Sequence, residues 1–366
     1  MNYKPRVLFL PKWYPHRYDP MPGLFIQRQA EALTTYCDVA VIYVHPDPDC
    51  PNRYEAEFSE ENKVRVIRVY FRIADKPYSL FDKYLNLIRF YRAHIKAVRS
   101  IRQFSPEIVH AHILTRMGLI AWRISRKNKI PFVISEHWSR YFPENSSYRM
   151  GFHHLITKFL VKKSAAILPV SASLQSAMEN LGLHHSMTFV VPNVVEINAF
   201  TSLLKISKEN RKTFIHISCF EDKSKNISQL LRVVLSLSRK RQDFICLLVG
   251  EGPDYVAMQE YASDLGIMDT FVNFTGLKTG PELGELLHSS DFLVLSSRYE
   301  TFGTVVIEAL TSGIPVVATR VGIVQEVMNE SNGRIVQPDD EQAMINAIDV
   351  MLDECRLFDR EKIRAD

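Results

Sequence analysis

The sequence of 366 residues predicts an α/β protein with two doubly wound parallel sheets. Three observations support this prediction. Twelve short runs rich in Val, Ile and Leu recur along the whole chain, as do the strands of parallel sheets that are covered on both faces. Segments with an apolar period of about 3.6 residues lie between most of these runs and predict helices. A chain of this length normally exceeds a single core, so two domains are expected.

The predicted strands fall into two sets of six. The first set is residues 6–10, 39–44, 64–70, 107–110, 131–135 and 165–170, and the second is residues 213–218, 244–249, 271–274, 292–295, 315–318 and 333–336. The clearest amphipathic helices are predicted at residues 24–33, 85–101, 114–124, 227–237, 304–310 and 341–352. The charged residues 354–366 have no long apolar stripe, so at most one short helix is expected there.

A polar stretch at residues 196–211 separates the two sets of strands. We therefore predict an N-terminal Rossmann-like domain at 1–195, a linker at 196–211 and a C-terminal Rossmann-like domain at 212–366. Folds of this class bind ligands at the carboxyl ends of their strands, so a cleft between the two sheets is the expected site.

The charge is distributed unevenly along the chain. Residues 1–200 hold 27 Lys and Arg against 16 Asp and Glu, a net +11, whereas residues 201–366 hold 18 against 25, a net −7. A basic half predicts an anionic surface or substrate as its partner. No RNP-like, zinc-finger or helix-turn-helix signature is present, so nucleic acid is not expected.

Cysteines and apolar runs indicate the compartment. The five cysteines are scattered and show no CxxC spacing, which argues against a disulfide framework or a zinc site. The apolar run at residues 6–10 is too short for a secretory signal, and no stretch approaches the roughly 20 apolar residues of a membrane span. We therefore expect a cytoplasmic protein.

The segment 296–310 (SSRYETFGTVVIEAL) combines two carboxylates with the start of a predicted helix. The helix begins near Gly303, where its first backbone N–H groups form a seat for a phosphate. Glu300 precedes the helix and Glu308 lies inside it, so the two carboxylates can bind opposite ends of one ligand. Beside a phosphate, a carboxylate suits the hydroxyls of a ribose or sugar. Each glutamate alone is also explained as a solvated side chain at a helix start or on an exposed helix face.

The full segment resembles the E-x7-E signature of the retaining GT-B glycosyltransferases of family 4. Further segments resemble motifs of that family in the same order along the chain. In the second half they are residues 191–193 (VPN), 250–253 (GEGP), 271–276 (FVNFTG) and 312–318 (SGIPVVA), and in the first half residues 22–25 (PGLF), 110–112 (HAH) and 136–138 (EHW). The resemblance spans residues 6–354 and implies the GT-B fold, two doubly wound Rossmann-like domains facing a cleft.

The resemblance implies donor-binding roles in the second half of the chain. Glu308 would hold the ribose hydroxyls, Glu300 the hydroxyls of the transferred sugar, and Lys225 the diphosphate. Many relatives have an arginine where this chain has Cys219, and Lys223 is a candidate substitute. The alternative for Lys225 is a solvated lysine between a strand and a helix. The other implied donor-binding residues are Gly250, Leu277, Lys278, Thr301, Phe302, Gly303 and Thr304.

The first half would supply the acceptor side. His137 follows a predicted strand, as the family histidine near the donor sugar does, although a structural histidine is the alternative. Glu136 and His112 would complete this side, and Gly23 matches the glycine of the first loop, which closes over the donor phosphates. Because side chains alternate along a strand, we expect only one of His110 and His112 to face the ligand, and we favour His112. The implied catalytic residues are Glu300, His137 and Lys225.

The implied reaction is the transfer of a sugar, with retention, from a UDP- or GDP-sugar to a saccharide or lipid-linked saccharide acceptor. No cofactor or metal ion is expected, and the implied pathway is polysaccharide or cell-envelope glycan synthesis, such as lipopolysaccharide or capsule. Two alternatives remain. A GT-B sugar-nucleotide epimerase would release the nucleotide without an acceptor, and a non-catalytic sugar-nucleotide-binding module would not turn the donor over.

A predicted helix at residues 87–102 carries two stripes side by side. One is apolar and the other basic; they consist of Ile88, Tyr91, Ile95 and Val98, and of Arg89, Arg92, Lys96 and Arg99. One interpretation is a core-facing apolar stripe with a solvated basic edge. The other is peripheral attachment to the inner face of an anionic membrane that carries a lipid-linked acceptor.

Overall fold

The computed structural model describes residues 3–73, 79–145, 148, 151–195 and 211–365. The chain divides into two compact units. Unit 1 comprises the described residues of Met1–Trp138, Tyr148–Val170 and Gln175–Val194, and unit 2 those of Ser139–Ser147, Ser171–Leu174 and Val195–Asp366. The predicted linker at 196–211 lies outside the described residues, except for Arg211.

Unit 1 is built on a seven-stranded sheet. Its strands are β1 (Arg6–Pro11), β2 (Asp38–Asp47), β3 (Tyr54–Glu61), β4 (Val64–Arg72), β5 (Ile108–His112), β6 (Phe132–Glu136) and β7 (Ala166–Pro169). Their order across the sheet is β3-β4-β2-β1-β5-β6-β7, and all neighbours are parallel except β3 and β4. The chain therefore leaves β1 towards β2 on one side and returns to β5 on the other.

Five α-helices accompany this sheet in the described part of the chain. They are α1 (Leu24–Leu33), α2 (Leu80–Ser100), α3 (Leu114–Asn128), α4 (Phe152–Lys163) and α5 (Ala172–Asn180). On one side of the sheet, Ile26 and Ala30 of α1 pack with Phe9, Val41 and Tyr43 of the strands. Helix α2 packs against β2 and β4, and α3 contacts both β5 and α4.

Unit 2 is built on a six-stranded parallel sheet. Its strands are β8 (Lys212–Ile217), β9 (Phe244–Val249), β10 (Val272–Gly276), β11 (Phe292–Leu295), β12 (Val316–Thr319) and β13 (Gly333–Val336). They are arranged in the order β10-β9-β8-β11-β12-β13. The helices of this half are α6 (Asp222–Lys225), α7 (Ile227–Ser238), α8 (Tyr255–Asp264), α9 (Gly280–Ser289), α10 (Thr304–Thr311), α11 (Val324–Val327), α12 (Glu341–Glu354) and α13 (Arg360–Ala365).

Both faces of the unit 2 sheet are covered by apolar packing. Phe214 belongs to a cluster with α7 and α12, whereas the next residue, Ile215, belongs to a cluster with α9 and α10. Consecutive strand residues thus point to opposite faces, and both faces are buried. Short α13 buries Ile363 in the second cluster, in line with the expectation of one short helix at the end of the chain.

Strand β3 was not among the predicted strands. It pairs antiparallel with β4 through a turn in which Asn62 and Lys63 both have positive φ, 47° and 70°. An edge strand has one neighbour and one exposed side, so its sequence, YEAEFSEE, is mostly polar and lacks the apolar run of a buried strand. The first sheet is therefore mixed rather than wholly parallel.

The apolar stripe on α2 does not face the core. The buried residues of α2 are Ala93, His94 and Ala97. Ile95, in the middle of the stripe, is 52% exposed. The interpretation as a core-facing stripe is therefore wrong. In the described part of the chain, no helix has the length and apolar character needed to cross a bilayer.

Candidate functional site

The carboxyl ends of β8 and β11 lie side by side at the point where the strand order of the unit 2 sheet reverses, a place we call the crevice of unit 2. The two strands are neighbours, although the chain leaves β8 towards β9 on one side and reaches β11 only after β10. Open α/β sheets bind ligands where the strand order reverses in this way. The loops after β8 and β11 hold most of the predicted donor-binding residues.

Lys225 and Glu300 form an ion pair in this crevice. The Lys225 Nζ lies 2.5 Å from Glu300 Oε1, and the two side chains are only 16% and 13% exposed. Ser297 Oγ donates a hydrogen bond to the same carboxylate oxygen at 2.9 Å. The sequence placed these two charged residues 75 positions apart, and the fold brings them together. The interpretation of Lys225 as a solvated lysine is therefore wrong.

Electrostatics keeps the Lys225 ammonium charged. Burial by itself lowers its pKa, but the adjacent Glu300 carboxylate, together with Cys219 and Glu221, outweighs burial and raises the pKa above its ordinary value. A charged lysine held in a crevice by one carboxylate is a suitable partner for an anion such as a diphosphate.

The backbone around this pair is fixed by groups that the sequence analysis did not single out. Ser296 Oγ donates to the Lys225 carbonyl at 2.8 Å, and the Arg298 guanidinium donates to the carbonyls of Asp222 and Lys223 at 2.9 and 3.3 Å. The sequence did contain a signal for these groups, because Ser296, Ser297 and Arg298 are polar residues directly after a predicted strand. Their partners could be identified only from the fold.

Helix α10 begins beside Glu300. Gly303 caps it with φ 94°, and a Cβ at this position would meet no atom within 4 Å, so the space in front of the helix start is open. The first N–H groups of a helix have no partner within it and carry partial positive charge. Glu308 lies in the second turn and is 6% exposed, so it is not a solvated side chain on an exposed face.

The other implied donor-binding residues lie in neighbouring loops of unit 2. Thr301 and Phe302 precede α10, and the Phe302 carbonyl accepts the Ile323 N–H at 2.7 Å. At Gly250 φ is 134°, and a Cβ there would overlap the Ser218 carbonyl, so only glycine fits this turn. Leu277 and Lys278 follow β10, two strands from β8, with Leu277 41% exposed.

Lys223 is not part of the Lys225–Glu300 pair. Its Nζ donates to the Asn145 carbonyl at 3.2 Å, and the side chain is exposed. Cys219 is exposed as a residue, although partial desolvation of its sulfur raises its thiol pKa. The prediction that Lys223 substitutes for the family arginine therefore stays a prediction.

In unit 1, Glu136 binds backbone rather than solvent. The side chain is fully buried, and its carboxylate accepts the N–H groups of Leu114, His137 and Trp138 at 2.9–3.0 Å. It thereby fixes the start of α3 and the residues after β6. The structure assigns Glu136 to positioning His137 and Trp138.

The two histidines of β5 and His137, the residue after β6, form a stacked row. His110 and His112 rings lie 4.1 Å apart between centroids, so both project from the same face of β5. The expectation that only one could face the ligand is wrong, because residues two apart on a strand share a face and only adjacent residues alternate. His112 Nδ1 lies 3.2 Å from His137 Nε2, and His110 Nε2 lies 2.8 Å from Ser135 Oγ.

Burial keeps these rings neutral. It lowers the pKa of His110 and of His137 to about 3, and the pKa of His112 well below its ordinary value. A neutral imidazole donates one N–H and accepts one hydrogen bond. His137 is thus suited to donate to a sugar hydroxyl, but it is not a cation at neutral pH.

Two further features of unit 1 adjoin this row. Gly23, with φ 72°, begins α1, and a Cβ there would overlap the Trp13 carbonyl. Trp13 and Trp138 meet edge to face at 5.8 Å, with the Lys12 ammonium 3.3 Å from the Trp138 ring centroid. This aromatic and cationic group beside His137 was missed, because Lys12 and Trp13 match no motif and lie far from Trp138 in the sequence.

Comparisons with known proteins agree with this organisation. Residues 24–199 match the family model "Glycosyltransferase Family 4", and residues 204–364 match "Glycosyl transferases group 1". TuaC of Bacillus subtilis (strain 168), a glycosyltransferase assigned to teichuronic acid biosynthesis, is 24% identical over 365 residues, 94% of this chain and 88% of the relative. Alpha-monoglucosyldiacylglycerol synthase of Streptococcus pneumoniae (strain ATCC BAA-255 / R6) is 26% identical over 296 residues, 76% of this chain and 63% of the relative.

Solved structures share the fold at low sequence identity. Sucrose-phosphate synthase from Thermosynechococcus elongatus has a TM-score of 0.78 at 16% identity, covering 99% of this chain and 94% of that one. Anabaena HepE in complex with UDP-glucose has a TM-score of 0.70 at 17% identity, covering 98% and 97%. The solved structures show that the chain has the GT-B fold, and the two family matches, which follow one another along the chain, identify it as a glycosyltransferase.

Proposed function

We propose that this protein transfers a sugar, with retention of configuration and without a metal ion, from a UDP- or GDP-sugar to a saccharide acceptor. The observation that carries the proposal is the buried Lys225–Glu300 pair beside the open start of α10. This arrangement places a cation, an acceptor of sugar hydroxyls and helix N–H groups at one crevice. A sugar diphosphate needs all three.

Each group has a proposed part in donor binding. Lys225 and the N-terminus of α10 at Gly303 and Thr304 bind the diphosphate, with Lys223 as a second cation. Glu300 accepts hydrogen bonds from the transferred sugar, and Glu308 from the ribose. Thr301 and Phe302 shape the loop, Leu277 and Lys278 flank the base, and Gly250 and Gly23 allow close approach of the backbone.

The chemistry follows from these roles. The bond between the anomeric carbon and the diphosphate oxygen breaks, and the acceptor hydroxyl forms the new bond on the same face of the sugar. The acceptor proton passes to a diphosphate oxygen, so no protein base is required. Lys225 and the helix N-terminus stabilise the charge that develops on the leaving diphosphate, which is the main catalytic effect expected here.

The acceptor is proposed to bind unit 1. His137, with His112 behind it, donates to a sugar hydroxyl near the reacting carbon, and Glu136 holds His137 in place. The Trp13 and Trp138 rings offer an apolar surface for a sugar ring, with Lys12 for an anionic substituent. The names of TuaC and of alpha-monoglucosyldiacylglycerol synthase favour a cell-envelope polysaccharide or glycolipid as the product.

A peripheral membrane location, on the cytoplasmic face, is part of the proposal. Helices α2, α3 and α4 together hold twelve Lys and Arg and one acidic residue, Asp82. They also expose large apolar side chains, among them Phe81 at 68%, Phe152 at 79% and Leu155 at 63%. Basic charge combined with exposed apolar groups is typical of surfaces that bind anionic bilayers.

Slow donor hydrolysis, with water in place of the acceptor, tests the reaction. Proton NMR at early times should show the free sugar with the anomeric configuration of the donor, and EDTA should leave the rate unchanged. A sugar of inverted anomeric configuration, or loss of activity in EDTA, would contradict the proposal. Release of an epimerised sugar would identify an epimerase, and the absence of any turnover would favour a binding module.

A further inference from the structure

A groove lies between α2 and α3 of unit 1, beside the C-terminal half of α2, where the apolar stripe of that helix ends. Tyr91, Ile95 and Val98 of α2 line one wall, and Ile120 and Ile124 of α3 line the other. Its volume is about 770 Å³, within the range of about 300–1,000 Å³ that is typical of small-molecule sites. The groove is large enough for a long apolar chain.

The stripe continues from the groove along the whole of α2. Leu80, Tyr84 and Ile88 precede Tyr91 at spacings of three or four residues, so they share its side of the helix. Leu80 is 84% exposed and Tyr84 61% exposed. An apolar path of about 16 Å, from Leu80 to Tyr91 at 1.5 Å per residue, therefore leads along the surface of the helix into the groove.

The rim of the groove is wholly basic. The charged residues that line it are Arg99, Arg123 and Lys127, and no acidic residue does so. Among the described residues, none of the three has a carboxylate partner within salt-bridge distance. The Arg123 guanidinium lies 5.5 Å from the centroid of the Tyr91 ring. Three cations without a carboxylate partner, around an apolar groove, fit an amphiphile with an anionic head group.

The wall of the groove also contains a polar atom with no partner. His94 lines it and is 2% exposed; its Nδ1 lies 2.9 Å from the Phe90 carbonyl, while its Nε2 is buried without a hydrogen-bond partner. Since a carbonyl only accepts, Nδ1 carries the proton and Nε2 is an acceptor. A buried acceptor without a donor is costly, and a ligand hydroxyl would satisfy it.

The groove is separate from the candidate site. Ser105 and Pro106, which line it, precede β5, whereas His112 ends that strand. The five residues of β5 alone span about 15 Å. Glu136 likewise ends β6, while Ile130, which lines the groove, precedes it. The groove opens at the amino-terminal edge of the sheet, opposite the histidine row.

We propose that this groove binds one acyl chain of an anionic membrane phospholipid whose head group carries a hydroxyl, of the phosphatidylglycerol class. The chain lies along Tyr91, Ile95 and Val98, the phosphate lies among Arg99, Arg123 and Lys127, and a head-group hydroxyl donates to His94 Nε2. The inference rests on the membrane attachment proposed above and names the lipid class and the residues responsible. A second copy that paired through the same face would bring basic rather than acidic groups to the rim, because α2, α3 and α4 hold no acidic residue other than Asp82.

The first experiment isolates the groove from the bilayer. Lysophosphatidylglycerol, below its micelle concentration, is titrated into the full chain by calorimetry, with lysophosphatidylcholine for comparison. The anionic probe should bind the wild type. Ile95→Glu, which places a carboxylate in the groove at a half-exposed position, should abolish binding, whereas Val256→Glu on α8, at a residue 63% exposed, should not.

The rim is tested by charge reversal on α3. Arg123→Glu combined with Lys127→Glu should weaken binding of the anionic probe at least about thirtyfold, because each basic residue near an anionic surface contributes roughly fivefold and two such contributions are lost. Arg126→Glu, on the same helix but outside the groove, is the matched control and should have little effect. Equal affinity for the two lysolipids, or equal loss in the two sets of variants, would overturn the proposal.

Sedimentation with phosphatidylglycerol vesicles separates this inference from the broader proposals. If the wild type and Ile95→Glu sediment equally with the vesicles, the protein binds the membrane but the groove is not responsible, and the proposed lipid site is overturned. Donor binding by the variants should match the wild type, so loss of lipid binding with intact donor binding supports the groove alone. A wild-type dimer that Ile95→Glu converts to a monomer would show that a second copy occupies the groove and would overturn the proposal.

Discussion

Removing the cation of the Lys225–Glu300 pair should destabilise unit 2 by about 3 kcal/mol. At 2.5 Å and an effective dielectric constant of about 20, the attraction between the two charges is roughly 6–7 kcal/mol, most of it offset by the desolvation of both groups. Deleting one partner leaves the other charge buried, which typically costs about 3–5 kcal/mol. The hydrogen bond from Ser297 remains on Glu300, so the lower end of this range applies.

Urea denaturation followed by far-UV circular dichroism measures this effect. Lys225→Met should lower the free energy of unfolding by about 3 kcal/mol, whereas the double variant Lys225→Met with Glu300→Gln should recover most of the loss, because no isolated charge remains. Arg232→Met is the matched control, because its ion pair with Glu341 is about 40% exposed and should contribute less than about 1 kcal/mol.

Tryptophan fluorescence supplies an internal control. The three tryptophans, Trp13, Trp122 and Trp138, all lie in unit 1, so their transition should shift less than the circular dichroism transition. The reasoning is refuted if Lys225→Met is as stable as Arg232→Met, or if Lys225→Met and Glu300→Gln act additively.

Three further predictions follow from the site. Glu308→Ala should weaken binding of the free nucleoside diphosphate in calorimetry, whereas Glu300→Ala should leave nucleotide affinity nearly unchanged and lower turnover; equal nucleotide affinities in both variants would contradict the assignment. Burial lowers the His110 pKa to about 3 from about 6.5 in the unfolded chain, so its contribution to stability is complete above pH 6.5 and falls as the pH drops towards 3, with about 2 kcal/mol lost at pH 5. The loss of unfolding free energy between pH 7 and pH 5, measured by urea denaturation, should be smaller in His110→Gln by that amount, and an unchanged loss would contradict the shift. Gly250→Ala forces a Cβ into a backbone carbonyl and should lower Tm by at least about 6 °C. Gly303→Ala, with open space around it, should lower Tm less but weaken binding of the donor. Equal changes in Tm would contradict the packing argument.

Buried parallel strands were predictable because continuous apolar runs have few alternative explanations. All twelve predicted runs coincide with strands of the two sheets. Strand β3 could not be found in this way, because its pairing depends on a turn at Asn62 and Lys63 and on a partner strand, not on its own hydrophobicity. The side of α2 that faces the sheet was also misjudged, because the small residues Ala93 and Ala97 and the buried His94 occupy it.

The candidate site was predictable where a residue lies directly after a strand. His137 was identified from such a position, Glu300 from the loop that follows β11 and from the family motif, and Lys225, which lies at the end of α6, from the family motif alone. Their partners were not, because hydrogen bonds such as Ser297 to Glu300 and Glu136 to backbone N–H groups depend on distances that only the folded chain defines. The shared face of His110 and His112, in contrast, was available from strand geometry and was misread.

The central claim is that the Lys225–Glu300 crevice binds a nucleotide sugar, and thermal stabilisation by a panel of UDP- and GDP-sugars tests it most directly. At least one donor should stabilise the wild type, by about 2.7 kcal/mol at a concentration of 100 times its Kd. Lys225→Met should lose most of this stabilisation, while Arg232→Met should keep it. The account is contradicted if no nucleotide sugar stabilises the wild type, or if Lys225→Met is stabilised to the same extent.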